Sequence, residues 1–141
     1  MKVFVDANIF LDYYFDRRDN LLPLGEFAFN FFRDALSGKY VIVISDEVIV
    51  EVASIMGVGI ENVMTHIFAE LIRKKKLVVV SALPLQKFSA AKISRERNVP
   101  FNDALYCVIA RDMGVPVVSR DGHFYETLSD LVESFKPEEL V

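Results

Sequence analysis

The sequence predicts an α/β domain of three α/β/α layers around a central parallel sheet. Three observations predict it. Short β-branched apolar runs alternate along the chain with longer segments whose apolar residues recur at three- and four-residue spacing. Such alternation belongs to parallel strands joined by right-handed helical crossovers. The chain has 141 residues, and a single core at this length removes roughly 68–70% of the unfolded chain's surface from water, so one domain over residues 1–141 is expected.

Val3 to Val5 is a brief apolar run that stops at Asp6, which predicts a buried first strand with a carboxylate at its exit. Phe27, Phe31 and Ala35, flanked by Ala28, Phe32 and Leu36, predict a helix over 26–36 closed by Gly38. Tyr40 to Ile44 is a β-branched strand run, after which Ser45 and Asp46 offer caps for a helix reaching about Met56. The stripe Ile60, Val63, Met64, Ile67, Phe68, Leu71 and Ile72 predicts one helix over 60–74. Leu77 to Val80 reads as another buried strand, and Pro84 starts a helix that runs through Arg97. Asn102 and Asp103 open a strongly apolar helix to Met113, ended by Gly114, and Val115 to Val118 is the next strand.

Composition narrows the function. Half the residues are hydrophobic and twelve are Phe, so a core forms without disulfides or structural zinc. The single cysteine, Cys107, lies within an apolar run, which points to a reducing, cytoplasmic setting. No charged, apolar leader precedes Asp6, and no apolar run approaches the roughly 18 residues needed to span a bilayer, so no membrane association is expected. A net charge of −4 argues against a protein that coats nucleic acid by neutralising many phosphates. It is compatible with an enzyme whose acids are neutralised by metal ions.

Four acids occupy informative places. Asp6 and Asp121 follow predicted strands, where open α/β sheets bind their ligands. Asp103 starts the helix leading to the last strand, and Glu51 lies one turn inside the helix after Tyr40 to Ile44. Carboxylates brought together raise one another's pKa unless cations lie between them, and oxygen ligands of this kind suit Mg²⁺ or Mn²⁺. His66 and His123 are far apart and have no ligand-like spacing, so zinc is not expected. Each acid also has a structural reading: Asp6 as a helix cap, Asp103 as a first-turn acid, Asp121 as a turn residue, and Glu51 as part of a polar face with Glu47 and Ser54.

Four ordered elements carry a family resemblance. They are Val3-Phe4-Val5-Asp6-Ala7-Asn8, Ser45 with Glu51 six residues later, Asn102-Asp103-Ala104-Leu105, and Ser119-Arg120-Asp121 with Phe124. Together they resemble the PIN domain family, in particular its small single-domain branch that includes the VapC toxins of toxin–antitoxin pairs. The resemblance covers nearly the whole chain. It implies a PIN-like fold in which Asp6, Glu51, Asp103 and Asp121 are the metal-binding, catalytic acids. Asn8 and Ser119 would hold carboxylates or substrate by hydrogen bonds. Glu47, four residues before Glu51, shares its side of the helix, and the spacing from Ser45 favours Glu51.

The implied activity is endoribonucleolytic hydrolysis of single-stranded RNA with Mg²⁺ or Mn²⁺, leaving 5′-phosphate and 3′-hydroxyl ends, as the toxin of a pair with an antitoxin protein partner. A housekeeping RNA-processing nuclease and a non-cleaving PIN module that binds RNA or protein remain as alternatives. The absence of a nucleophile elbow, a Cys–His pair and a phosphate-cradling glycine loop agrees with metal hydrolysis. A haloacid-dehalogenase-type phosphatase needs a second Asp where Asn8 stands. Arg120, Arg17 and Arg18 are the candidate cations for substrate phosphates, and the run Arg73 to Lys76 reads better as a solvated helix end. Phe and Tyr residues crowd the first two helices, and similar proteins pair, so a homodimer is expected.

Overall fold

Backbone hydrogen bonding between the apolar runs builds one parallel sheet. In a computed structural model describing residues 1–140, with Val141 outside the described residues, the strands are β1 (Lys2–Val5), β2 (Val41–Ser45), β3 (Leu77–Val80), β4 (Val117–Val118) and β5 (Ser134–Phe135). Their order is β3-β2-β1-β4-β5, and every pairing is parallel. The continuous apolar character of β1 follows from its central place, since Val3, Phe4 and Val5 are all fully buried. Leu77–Val80 departs from expectation. It is an edge strand with Val78 and Val79 about two-fifths exposed.

The last expected strand is shortened to two residues. Pro116 has no N–H to give the ladder, although its carbonyl accepts from Phe4. Chain order fixes the layers. The chain steps outward from β1 to β2 to β3 and then returns to β4 on the other side of β1, so right-handed connections put the first two crossovers on one face and the third on the opposite face. The first crossover comprises α1 (Ala7–Phe15) and α2 (Leu24–Leu36), and the second comprises α3 (Asp46–Met56), α4 (Ile60–Val63) and α5 (Ile67–Arg73). The third comprises α6 (Pro84–Arg97) and α7 (Phe101–Met113), which pack on each other, and α7 also packs on β1 and β4. A short α8 (Gly122–Tyr125) and a closing 3-10 turn (Pro137–Leu140) complete the chain.

The single helix expected over 60–74 is broken. Thr65 Oγ1 donates to the Asn62 carbonyl, and the Tyr14 hydroxyl contacts the carbonyls of Val63 and Thr65 at 3.1 and 3.2 Å. Those carbonyls are thereby satisfied outside a helical ladder, and His66 takes φ 52° before α5 begins. Gly114 ends α7 at φ 69°, as its type predicts. Gly25 is required by close approach, because a Cβ there would lie 2.6 Å from the Asp16 Cα. The aromatic residues of the first two helices largely enter the core, where Phe10 packs on Phe32 and Phe68 with ring centroids 4.9 and 4.4 Å away. Phe15 and Phe29 remain about half exposed.

Candidate metal centre

The neighbours of β1 are β2 and β4, so the chain changes direction across the β1–β4 pair, and a crevice opens beyond the carboxyl ends of these strands. Asp6 leaves β1 there and Ser119 leaves β4. The Asp6 backbone N–H donates to the Val118 carbonyl, which ties the two exits together. Asp6 caps α1 by accepting from the Ala7 N–H through Oδ1 at 2.7 Å, and its Oδ2 accepts from the Ser119 hydroxyl at 2.7 Å. Its structural reading as a cap is therefore correct, and it does not compete with a role in the crevice.

Ser119 Oγ is a node. While donating to Asp6 it accepts from the Asp121 N–H at 2.9 Å and lies 3.5 Å from the Asn8 side-chain amide. The hydroxyl therefore fixes one acid and the backbone of another. Asn8 leaves its Oδ1 buried and without a hydrogen-bond partner among the described residues. Asp121 caps α8 by accepting from the His123 N–H at 2.9 Å.

α7 supplies the opposite wall. Asp103 lies in its first turn and is buried, and the neighbouring Asn102 and Tyr106 hold Glu51 of α3. Glu51 Oε1 accepts from Asn102 Nδ2 at 3.0 Å and from the Tyr106 hydroxyl at 3.1 Å. Asn102 and Tyr106 are four apart, so one helix face presents both donors. The Glu47 Oε1 is buried without a hydrogen-bond partner among the described residues. Glu51, Asn102, Asp103 and Asp121 line an open crevice of about 570 Å³ together with Pro100 and Phe101. Asp6 does not line it directly but interacts electrostatically with Asp103 and Glu51.

The electrostatics of this cluster are unfavourable for the protein alone. Burial, reinforced by the like charges of Asp103 and Glu51, pushes the Asp6 carboxyl up to about 7, against the lowering effect of Ser119. Burial likewise pushes Asp103 up to about 6, with Asp121 adding to the rise and His123 opposing it. Burial beside Glu51 and Asp6 also raises Tyr106. Among the described residues, no Lys or Arg pairs with Asp6, Glu51, Asp103 or Asp121. Carboxylate oxygens without a protein cation, held by hydrogen bonds that leave lone pairs free, are a donor set that fits a divalent ion.

His123 is the one cation-capable group in the cluster, and sequence spacing did not find it. Its Nδ1 lies 2.8 Å from Asp103 Oδ2 and 2.9 Å from Asp121 Oδ1. The hydrogen bond with Asp103 raises its pKa. The three ligand atoms lie within 4.8 Å of one another. His123 is two positions from Asp121 but twenty from Asp103, and only the fold closes that distance.

The candidate phosphate-binding arginines sit elsewhere. Arg120 Nε pairs with Asp12 at 3.2 Å, and its terminal nitrogens hold Glu138 at 3.0 and 2.6 Å. The guanidinium also lies over the Phe27 ring. Arg120 thus joins α1 to the closing 3-10 turn through these two carboxylates. Arg17 lies 3.8 Å from Asp12. Arg17 and Arg18 both follow the far end of α1, nine residues or roughly 14 Å along the helix from its Asp6 end.

The profile of the PIN domain family matches residues 3–128. No curated protein sequence matches significantly. Among solved structures, a toxin–antitoxin complex from Klebsiella pneumoniae is similar, with a TM-score of 0.63 at 12% identity, covering 96% of this chain and 97% of that one. VapBC2 from Rickettsia felis, bound to a DNA fragment from its promoter, gives 0.62 at 16% identity over 96% and 100%. A crystal structure from Pyrobaculum aerophilum gives 0.61 at 17% identity over 99% and 86%. At these identities the structural likeness speaks for the fold. Among the described residues no helix is long and apolar enough to cross a membrane.

Proposed function

This chain belongs to the PIN domain family, and on that premise we propose that it is an endoribonuclease whose acidic crevice works with Mg²⁺ or Mn²⁺. The observation that carries the reading is the Asp6 carboxyl, buried, pushed up to about 7, and close enough to Asp103 and Glu51 for their charges to act on it without a Lys or Arg beside it. A cluster of that kind is costly unless cations join it.

Asp6, Glu51, Asp103 and Asp121 are the residues that would hold the ions. Bound divalent ions supply an acidified water and charge neutralisation at a phosphodiester. The protein's part is positioning. Ser119 orients the Asp6 carboxylate and the Asp121 backbone, while Asn102 and Tyr106 hold one oxygen of Glu51 and leave the other free. Buried anchors of this kind keep ligand atoms in place without reorganisation. The open crevice suits a single strand entering from solvent. We read the whole of residues 1–141 as one domain, and the described part forms one continuous sheet and core.

In the same proposal the chain is the toxin of a toxin–antitoxin pair, acts in the cytoplasm as a homodimer and is restrained by an antitoxin protein. The similar toxin–antitoxin complex from Klebsiella pneumoniae and VapBC2 from Rickettsia felis support the toxin and antitoxin parts of that reading. The test is incubation of the purified chain with single-stranded RNA in Mg²⁺, in Mn²⁺ and in chelator. Cuts with 5′-phosphate and 3′-hydroxyl ends are expected in the first two and none in the third. Undiminished cutting in chelator, or cyclic phosphate ends, would overturn it.

A further inference from the structure

We infer that His123 is a metal ligand through Nδ1, completing a set with Asp103 and Asp121, and that this centre therefore favours Mn²⁺ over Mg²⁺. The inference rests on the metal reading above and deepens it. The Nδ1 atom converges on two carboxylate oxygens from different elements, at 2.8 Å from Asp103 Oδ2 on α7 and 2.9 Å from Asp121 Oδ1 after β4. Adjacent ligand atoms on an ion with bonds near 2.1 Å are about 3 Å apart. Nδ1 already stands at ligand spacing from both oxygens, and all three atoms lie within 4.8 Å of one another.

The ring is held in place. The His123 backbone N–H donates to the same Asp121 oxygen, so the residue cannot shift along the loop without losing that bond. Its side chain is 40% exposed, so no packing need accounts for an imidazole here. An all-oxygen set discriminates weakly between Mg²⁺ and Mn²⁺. An imidazole nitrogen favours first-row transition ions, because Mg²⁺ prefers hard oxygen and keeps its waters. The rival role for His123 is a fixed countercharge that offsets Asp103 and Asp121 and never ligates.

Electron spin-echo modulation of Mn²⁺ added to the chelator-stripped chain separates these roles, because it reads a nitrogen bonded directly to the ion. The parent should show nitrogen coupling, and His123→Asn should lose it. His66→Asn should keep it, and it controls for the second of the chain's two histidines. By calorimetric titration His123→Asn should bind Mn²⁺ more weakly by at least the roughly 10–100-fold that losing a partner behind a ligand costs, with Mg²⁺ affinity little changed. Mn²⁺ bound by the parent without nitrogen coupling would overturn this inference and leave the metal centre standing. No Mn²⁺ bound by the parent would overturn both. The parent spectrum decides the matter even if His123→Asn does not fold.

Discussion

Replacing Asp6 with Asn should stabilise the metal-free protein above neutral pH and destabilise it in acid. The magnitude follows from the carboxyl's rise from 3.8 to about 7. A folded-state pKa above the unfolded value means that Asp6 contributes stability in full below about 3.8, and that this is lost as pH climbs towards 7. Three units correspond to roughly 4 kcal/mol. Asn has no such loss, but it has a structural cost. Asp6 accepts from both the Ala7 N–H and the Ser119 hydroxyl, and an amide offers only one acceptor oxygen, which costs about 1 kcal/mol. In chelator, Asp6→Asn should therefore exceed the parent by roughly 3 kcal/mol at pH 8 and fall about 0.5 kcal/mol below it at pH 4. The lines should cross at about pH 4.5. Saturating Mn²⁺ at a thousand times Kd stabilises the parent by about 4 kcal/mol and reverses the order at pH 8. Urea unfolding at both pH values, with and without Mn²⁺, reads all of this. If the parent is unchanged by Mn²⁺ and the variant tracks it at every pH, Asp6 is a helix cap and nothing more.

Glu51→Gln should reduce RNA cleavage more than Glu47→Gln, because Asn102 and Tyr106 position Glu51 at the crevice. Equal or reversed losses in parallel cleavage assays would move the role to Glu47. Arg120→Ala should cost roughly 3 kcal/mol in urea unfolding, since it leaves the buried Asp12 carboxylate with only the more distant Arg17 and releases Glu138. Cleavage by its folded fraction should change little, and a loss of cleavage without a loss of stability would restore Arg120 to the substrate. Sedimentation equilibrium at micromolar concentration should give twice the 16.0 kDa chain mass, and a monomer mass would refute the homodimer.

What the sequence reveals and conceals has physical causes. β1, β2 and β3 are legible because each is a continuous apolar run, whereas β5 is two residues, Ser134 and Phe135, with no pattern to find. The break between α4 and α5 is invisible to periodicity, because Tyr14, some fifty residues earlier, supplies the competing hydroxyl. The exposure of Val78 and Val79 depends on β3 lying at the sheet edge, which is a property of strand order. Asp6, Ser119 and Asp121 can be singled out because carboxyl ends of strands are where α/β sheets gather their polar residues. The groups that hold Glu51, and the approach of His123 to Asp103, are contacts between distant segments. The pairing of Arg120 with Asp12 and Glu138 is likewise a contact between distant segments that its place in the motif does not reveal.

We propose that this cluster of acids cuts RNA through bound divalent ions. Initial rates of cleavage of one single-stranded RNA in Mn²⁺, for the parent, Asp6→Asn and Asp103→Asn at matched folded fraction, test it most directly. The parent should cleave at a measurable rate that chelator abolishes, and each variant should fall roughly a hundredfold or more. Variants that cleave as fast as the parent, or a parent rate that survives chelator, would contradict it.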